Sequence, residues 1–250
     1  MREQLMLTGV VLSAMPVGEF DKRVVLLTRE RGKITAFARG ARRQNSSLLA
    51  ASNPFVFGRF FFYEGRSAYS LVQAEVLHYF HEIARDFEGT CYGSYFMEFA
   101  DYYARENNPE VQMVNLLYVS LKALLNPRLP QELIRYIFEL KTMVLNGEYP
   151  EVFCCNHCGK KERLMGYAPE KNGLVCQACA SSVSGKILPL KEASIYALQY
   201  VVSAVVEKLY TFTLSGEVFQ EFRAVVDSFR KRYIEKSFKS LEILESTQNY

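Results

Sequence analysis

The sequence predicts an α+β protein in two parts: a five-stranded β-barrel over residues 1–80, then an α-helical domain over 81–250 with a cysteine-bearing insert at about 153–182. Three observations predict this. Before residue 80, apolar residues alternate with polar ones in short runs, the period of strands buried on one face. After residue 80 they recur every three to four positions, the period of helices packed on one side. Two Cys-x-x-Cys pairs then fall inside the helical half. With 250 residues, 49% of them apolar, the chain can bury one large core or two modest ones.

Strands are expected over 5–14, 23–29, 33–40, 55–63 and 68–77, and the turn Tyr-Glu-Gly-Arg-Ser at 63–67 joins the last two. Residues 46–52 connect the third strand to the fourth, with room for a helical turn. Five strands with a longer excursion between the third and fourth fit a closed barrel of the OB type, among other small barrels. The OB fold takes oligonucleotides on the face of strands 2 and 3 and on the loops beside it.

The hairpin between strands 2 and 3 reads further. A three-residue connection, Glu30-Arg31-Gly32 with Gly32 left-handed, sets Arg29 opposite Lys33, Leu27 opposite Thr35, Val25 opposite Phe37 and Arg23 opposite Arg39. Side chains alternate along a strand, so these eight share one face. The other face, with Val24, Leu26 and Thr28 against Ile34, Ala36 and Ala38, suits a barrel interior. Like charges directly across a ladder are unfavourable, and a sheet has no stability motive for pairing them. A phosphate backbone laid over the face relieves that repulsion. Arg42 and Arg43, just beyond the third strand, continue the basic face.

Helices are expected over 81–106, 111–125 and 131–146, punctuated by Pro109, Pro130 and Gly147. Two more follow the insert. One carries the stripe Ile195, Leu198, Val202, Val205 and Leu209, the other Val218, Phe222, Val225, Phe229 and Tyr233, and both stripes read as bundle core.

Charge is unevenly spread. Residues 1–80 hold 11 of the 30 Lys and Arg but only 6 of the 27 Asp and Glu, and residues 20–43 alone hold eight cations against Asp21 and Glu30. Such asymmetry points to a polyanionic partner for the N-terminal part. A solvated basic loop is the plainer alternative for the run at 39–43. The uncharged stretches, 4–18 and 193–206 among them, are all shorter than the ~20 residues a membrane helix needs. The first residues carry Glu3 and no clean small-x-small site, so they are not expected to be a signal peptide, and the chain reads as soluble and cytoplasmic.

The cysteines give the sharpest signal. Cys155-x2-Cys158, seventeen residues, then Cys176-x2-Cys179 has the spacing of a zinc site built from two knuckles. Gly159 suits the turn that ends the first knuckle, and Lys160, Lys161 and Arg163 offset the −2 charge of Zn2+ with four thiolates. Cys154 or His157 in place of Cys155 stays open. Four thiolates close the coordination sphere, so the site reads as structural, whereas hydrolytic zinc keeps a position for water.

No phosphate-cradling G-x-x-x-x-G-K-[ST] run is present, and the deaminase pattern is absent. His78 and His81 read as structural residues, and Cys91 as a small buried hydrophobe. The chain does not read as an enzyme.

Taken in order, "TRERGK" at 28–33, Gly40-Ala41-Arg42-Arg43 with Ser46 and Ser47, "LVQAEVL" at 71–77, the two knuckles and "KSFKSLEIL" at 236–244 resemble the RecO family of bacterial recombination mediators, almost end to end. The resemblance implies an N-terminal OB domain and a helical domain holding one zinc ion. It implies binding of single- and double-stranded DNA without sequence specificity and annealing of complementary strands. It also implies loading of the RecA recombinase onto DNA coated by single-stranded DNA-binding protein, in concert with RecR and RecF, at the nucleoid. The helical domain is expected to receive the acidic C-terminal tail of that coating protein. Arg230, Lys231, Arg232, Lys236 and Lys239 either serve that tail or complement a helix dipole. On this reading Arg23, Arg29, Lys33, Arg39, Arg42 and Arg43 hold phosphates while Phe37 meets a base, and Cys155, Cys158, Cys176 and Cys179 hold the zinc. A zinc-bearing RNA-binding or ribosome-associated protein on the same barrel is the alternative.

Overall fold

The structure, a computed structural model, describes residues 4–66 and 68–248. Ser67 of the expected 63–67 turn lies outside the described residues, as do 1–3 and 249–250.

All five expected strands form: β1 (Gln4–Val17), β2 (Asp21–Thr28), β3 (Gly32–Ala38), β4 (Phe57–Glu64) and β5 (Tyr69–His78). They close into a barrel in the order β1-β2-β3-β5-β4. β1 is long enough to serve two partners, its first half pairing with β4 and its second with β2, and it bends at a bulge between Val11 and Ser13. Within the barrel only β3 and β5 are parallel, meeting over Ala36–Ala38 and Tyr69–Leu71. This is the OB arrangement, with the short helix α1 (Leu48–Ala51) between β3 and β4. Leu7, Val11, Val24, Leu26, Ile34, Ala36, Phe60, Phe62 and Leu71 fill the interior, and Leu48 of α1 packs against them.

The hairpin register differs from the expected one. Arg23 faces Phe37, Val25 faces Thr35 and Leu27 faces Lys33, a shift of two residues. The buried Thr28 hydroxyl donates to the Gly32 carbonyl (2.9 Å) and accepts from the Arg31 N–H (3.2 Å), which draws the turn closed around Arg29-Glu30-Arg31. A shift of two keeps the same side chains on the same face but changes their cross-strand neighbours. The cations are therefore not paired with one another, and no repulsion between facing pairs is left for phosphates to relieve.

Helices α2 (Phe87–Tyr103) and α3 (Val111–Leu124) follow a single 3-10 turn at His81–Arg85. Asp86 caps α2 by accepting from the Gly89 N–H. The connection between them crosses the hairpin tip: the Lys33 N–H donates to the Arg105 carbonyl and the Glu110 N–H to the Arg29 carbonyl. Gly32, at φ +62°, lies beneath that crossing, where a Cβ would stand 2.2 Å from the Asn108 carbonyl oxygen. The last helix of the chain (Lys239–Gln248), which the sequence pattern did not reveal, returns to α2. Phe238, just ahead of it, packs with its ring centre 5.3 Å from those of both Tyr95 and Phe99, and the Ser240 hydroxyl donates to Glu98. Packing thus unites Met1–Pro127 with Phe238–Tyr250 in one compact unit and leaves Arg128–Ser237 as the other.

The second unit holds α4 (Gln131–Leu145), α5 (Glu192–Ser203) and α6 (Gly216–Tyr233), which makes the C-terminal helix α7. It also holds a three-stranded sheet of β6 (Leu164–Ala168), β7 (Gly173–Cys176) and β8 (Leu188–Pro189) in the order β7-β6-β8. The α6 stripe is buried as expected through Phe229. The stripe after the insert breaks, because α5 stops at Ser203 and leaves Val205 exposed. Inside, the fully buried Glu139 accepts from Arg135 at 2.8 Å and pairs with Arg230 at 3.5 Å. Among the described residues, no helix is long and apolar enough to cross a membrane.

Candidate nucleic-acid face and cysteine centre

Alternation puts Arg23 and Phe37 on the outside of the barrel, and with Met15 of β1 they form one row across three strands. Phe37 is 38% exposed and Met15 59%. The side chains of Arg23 and Arg39 are exposed and take no hydrogen bond or ion pair among the described residues. Arg43 lies over the ring of Phe20, 5.1 Å from its centre. Arg42 is exposed but partly occupied: its Nη1 donates to the carbonyls of Gly18 and Glu19, which latches the β1–β2 turn to the loop after β3.

The other end of the same face is closed. Arg29 donates from Nη2 to Asn115 of α3 at 2.7 Å, with its guanidinium beside Phe57. Lys33 pairs with the Asp101 carboxylate at 3.2 Å and donates to the Asp101 carbonyl on α2. Lys22 turns away from the face to donate to Leu49, Ser52 and Asn53, and burial, aided by the charge of Arg42, holds its pKa below the ordinary lysine range. The structure therefore gathers Arg23, Phe37, Arg39, Arg42 and Arg43 at the open end and ties Arg29 and Lys33 to helices at the closed one. Phe20 and Met15 join the open end. The available signal for Phe20 was an aromatic residue inside a polar turn, Gly18-Glu19-Phe20-Asp21.

The second constellation is the cysteine centre. The Sγ atoms of Cys155, Cys158, Cys176 and Cys179 all lie within 4.8 Å of one another. Zn–S bonds of about 2.3 Å in a tetrahedron put sulfurs roughly 3.8 Å apart. Cys158 and Cys176 stand at 3.8 Å. Cys155 and Cys176 are buried, Cys179 is half-buried and Cys158 exposed. Burial opposes a thiolate at Cys155, but N–H donors of Cys176, Cys158 and His157 outweigh it and bring the thiol down to about 6. The thiol of Cys179 moves the other way, raised to about 12 by the neighbouring Cys158 sulfur and by burial. Four sulfurs this close ionise together only around a cation. The knuckle is built locally: Gly159, at φ +73°, donates its N–H to the Cys155 carbonyl, and the Asn156 N–H ties it to β7. Cys154 is not one of the four; its N–H is bound to Glu151, and His157 contributes backbone only.

Two family profiles cover nearly the whole chain, one described as "Recombination protein O N terminal" over residues 1–80, the other as "Recombination protein O C terminal" over residues 84–242. The chain belongs to the RecO family. A protein named "DNA repair protein RecO" from Bacillus pumilus is 33% identical over 241 residues, covering 96% of this chain and 93% of the relative. The one from Bacillus subtilis is 30% identical, over 96% of this chain and 94% of its own length. The one from Acetivibrio thermocellus is 28% identical, over 96% and 95%.

In this RecO-family chain the basic end of α6 is only partly available to a ligand. Arg230 is drawn inward onto Glu139 and Asp227, and Arg232 donates to the Pro169 carbonyl. Lys231 stays exposed.

Proposed function

We propose that this protein is a non-enzymatic recombination mediator in DNA repair that binds single- and double-stranded DNA without reading sequence. The observation that carries this is the open end of the barrel face, where Arg23 and Arg39 stand exposed beside Phe37 and Arg43 stands exposed over Phe20. Guanidinium groups neutralise phosphates and release counterions, and an exposed aromatic ring offers a stacking surface to any base. Neither contact discriminates between bases. Two strands neutralised on one surface approach each other without mutual repulsion, and base pairing supplies the free energy for annealing.

Family membership supports the wider role: loading of RecA onto strands coated by single-stranded DNA-binding protein, with RecR and RecF, in the cytoplasm at the nucleoid. The division of labour is residues 1–80 for DNA and 81–250 for protein contacts, including the acidic tail of the coating protein. One Zn2+ held by Cys155, Cys158, Cys176 and Cys179 is structural: it ties the two knuckles together and leaves no position for substrate. The test is annealing of complementary DNA strands by the purified chain without nucleotide, with an RNA strand as competitor. Acceleration of annealing, with DNA preferred over RNA, is the expected result. Failure to bind DNA at moderate salt overturns the proposal, and preferential binding of RNA moves it to an RNA-binding role.

A further inference from the structure

Resting on the DNA-binding reading above, we infer that Phe20 in the β1–β2 turn is a second base-stacking residue, which makes this face selective for unpaired nucleotides. The ring is 41% exposed in a turn of Gly18, Glu19 and Asp21, where a polar residue would serve folding better. It has a fixed position. The Phe20 carbonyl accepts from the Arg42 N–H at 2.8 Å, the Arg42 guanidinium holds the carbonyls of Gly18 and Glu19, and Asp21 accepts from the Gly40 N–H at 2.7 Å. Four hydrogen bonds thus hold a short turn against the loop after β3, and what the turn presents is an aromatic face. Such a preorganised ring loses little freedom on binding.

The surroundings specify the ligand. Arg43 lies over the ring, 5.1 Å from its centre, which shows that the ring accepts a planar group on its face. Arg23 and Arg39 are the nearby exposed cations, and Met15 and Val17 continue the exposed apolar surface along β1. Aromatic rings interleaved with unpaired guanidinium groups fit a single nucleic-acid strand, which offers bases and phosphates in alternation. The Arg42 and Gly40 bonds set the Phe20 turn against the loop that directly follows Phe37 of β3 and Arg39. A base that takes the Phe20 ring releases Arg43 to the adjoining phosphate. In a duplex the bases are stacked inside and cannot reach either ring, so only the arginines engage.

The chain contains no tryptophan, which makes the test direct. Phe20→Trp and Phe37→Trp each introduce a single indole whose fluorescence stacking quenches. Each variant is titrated with oligothymidylate and with duplex DNA, while anisotropy of a labelled strand reports binding independently. Both indoles are expected to be quenched by the single strand and neither by the duplex. In parallel, Phe20→Ala is expected to weaken single-strand binding about 5- to 150-fold, with duplex affinity and the salt slope unchanged. Suppose instead that the labelled strand binds and quenches the Phe37→Trp variant, leaves the Phe20→Trp variant unchanged, and binds Phe20→Ala at parental affinity. That result overturns this inference and leaves the DNA-binding reading standing. No binding of either DNA by parent or variants overturns that reading, and this inference with it.

Discussion

Removing Arg39 and Arg43 together separates cations that face DNA from cations that hold the fold. Of the basic residues at 23–43, Arg23, Arg39 and Arg43 are exposed and free of carboxylate partners, whereas Arg29 and Lys33 are bound to Asn115 and Asp101. Each phosphate contact on a single strand contributes about 0.7 to the slope of log affinity against log salt. Arg39→Ala with Arg43→Ala should therefore flatten the slope by about 1.4. Over a fourfold rise in salt, the parent should lose roughly sevenfold more affinity than the variant. Stability should hold, because neither side chain enters the core. Arg29→Ala should do the opposite. It removes a half-buried charged hydrogen bond worth about 1.5–3 kcal/mol and leaves the slope unchanged. The Lys33–Asp101 pair, with side chains 27% and 43% exposed, is worth only ~0.2–1 kcal/mol. Anisotropy titrations at several salt concentrations, paired with thermal melts, read both quantities. A parental slope in the Arg39/Arg43 variant, together with a flattened one in Arg29→Ala, would refute the assignment and move the phosphate track to the hairpin tip.

Cys155→Ser or Cys176→Ser should abolish one bound zinc per chain and destabilise or precipitate the unit Arg128–Ser237, since a structural ion contributes folding free energy directly; elemental analysis of the folded parent showing no zinc contradicts this. Gly32→Ala should destabilise by ~2 kcal/mol or more, because it adds a left-handed penalty to a collision with the Asn108 carbonyl, and a denaturant melt measures it. Phe238→Ala should lose about 3–5 kcal/mol by emptying the aromatic site on α2, and hydrogen exchange should show α7 released first.

What the sequence by itself determined was what depends on near neighbours. Alternation is read two residues at a time, so the barrel strands and their inner face, Val24, Leu26, Ile34 and Ala36, were legible. Cys-x-x-Cys needs only one tight turn, so the four thiols were identified without knowing how the sheet around them folds. Tertiary structure decided the rest. A register shift of two residues preserves both faces, so no pattern of apolar residues distinguishes Arg23 opposite Arg39 from Arg23 opposite Phe37; the Thr28 hydroxyl and the chain crossing at 105–110 select the second. Which cations are free depended on acceptors 68 and 86 residues away, at Asp101 and Asn115, because a cation's availability is set by where distant helices place their oxygens. The return of Phe238 to α2, sealed by a bond from Ser240 to Glu98 across 142 residues, has the same cause: an apolar side chain buries itself wherever the fold leaves an apolar site, at any sequence distance.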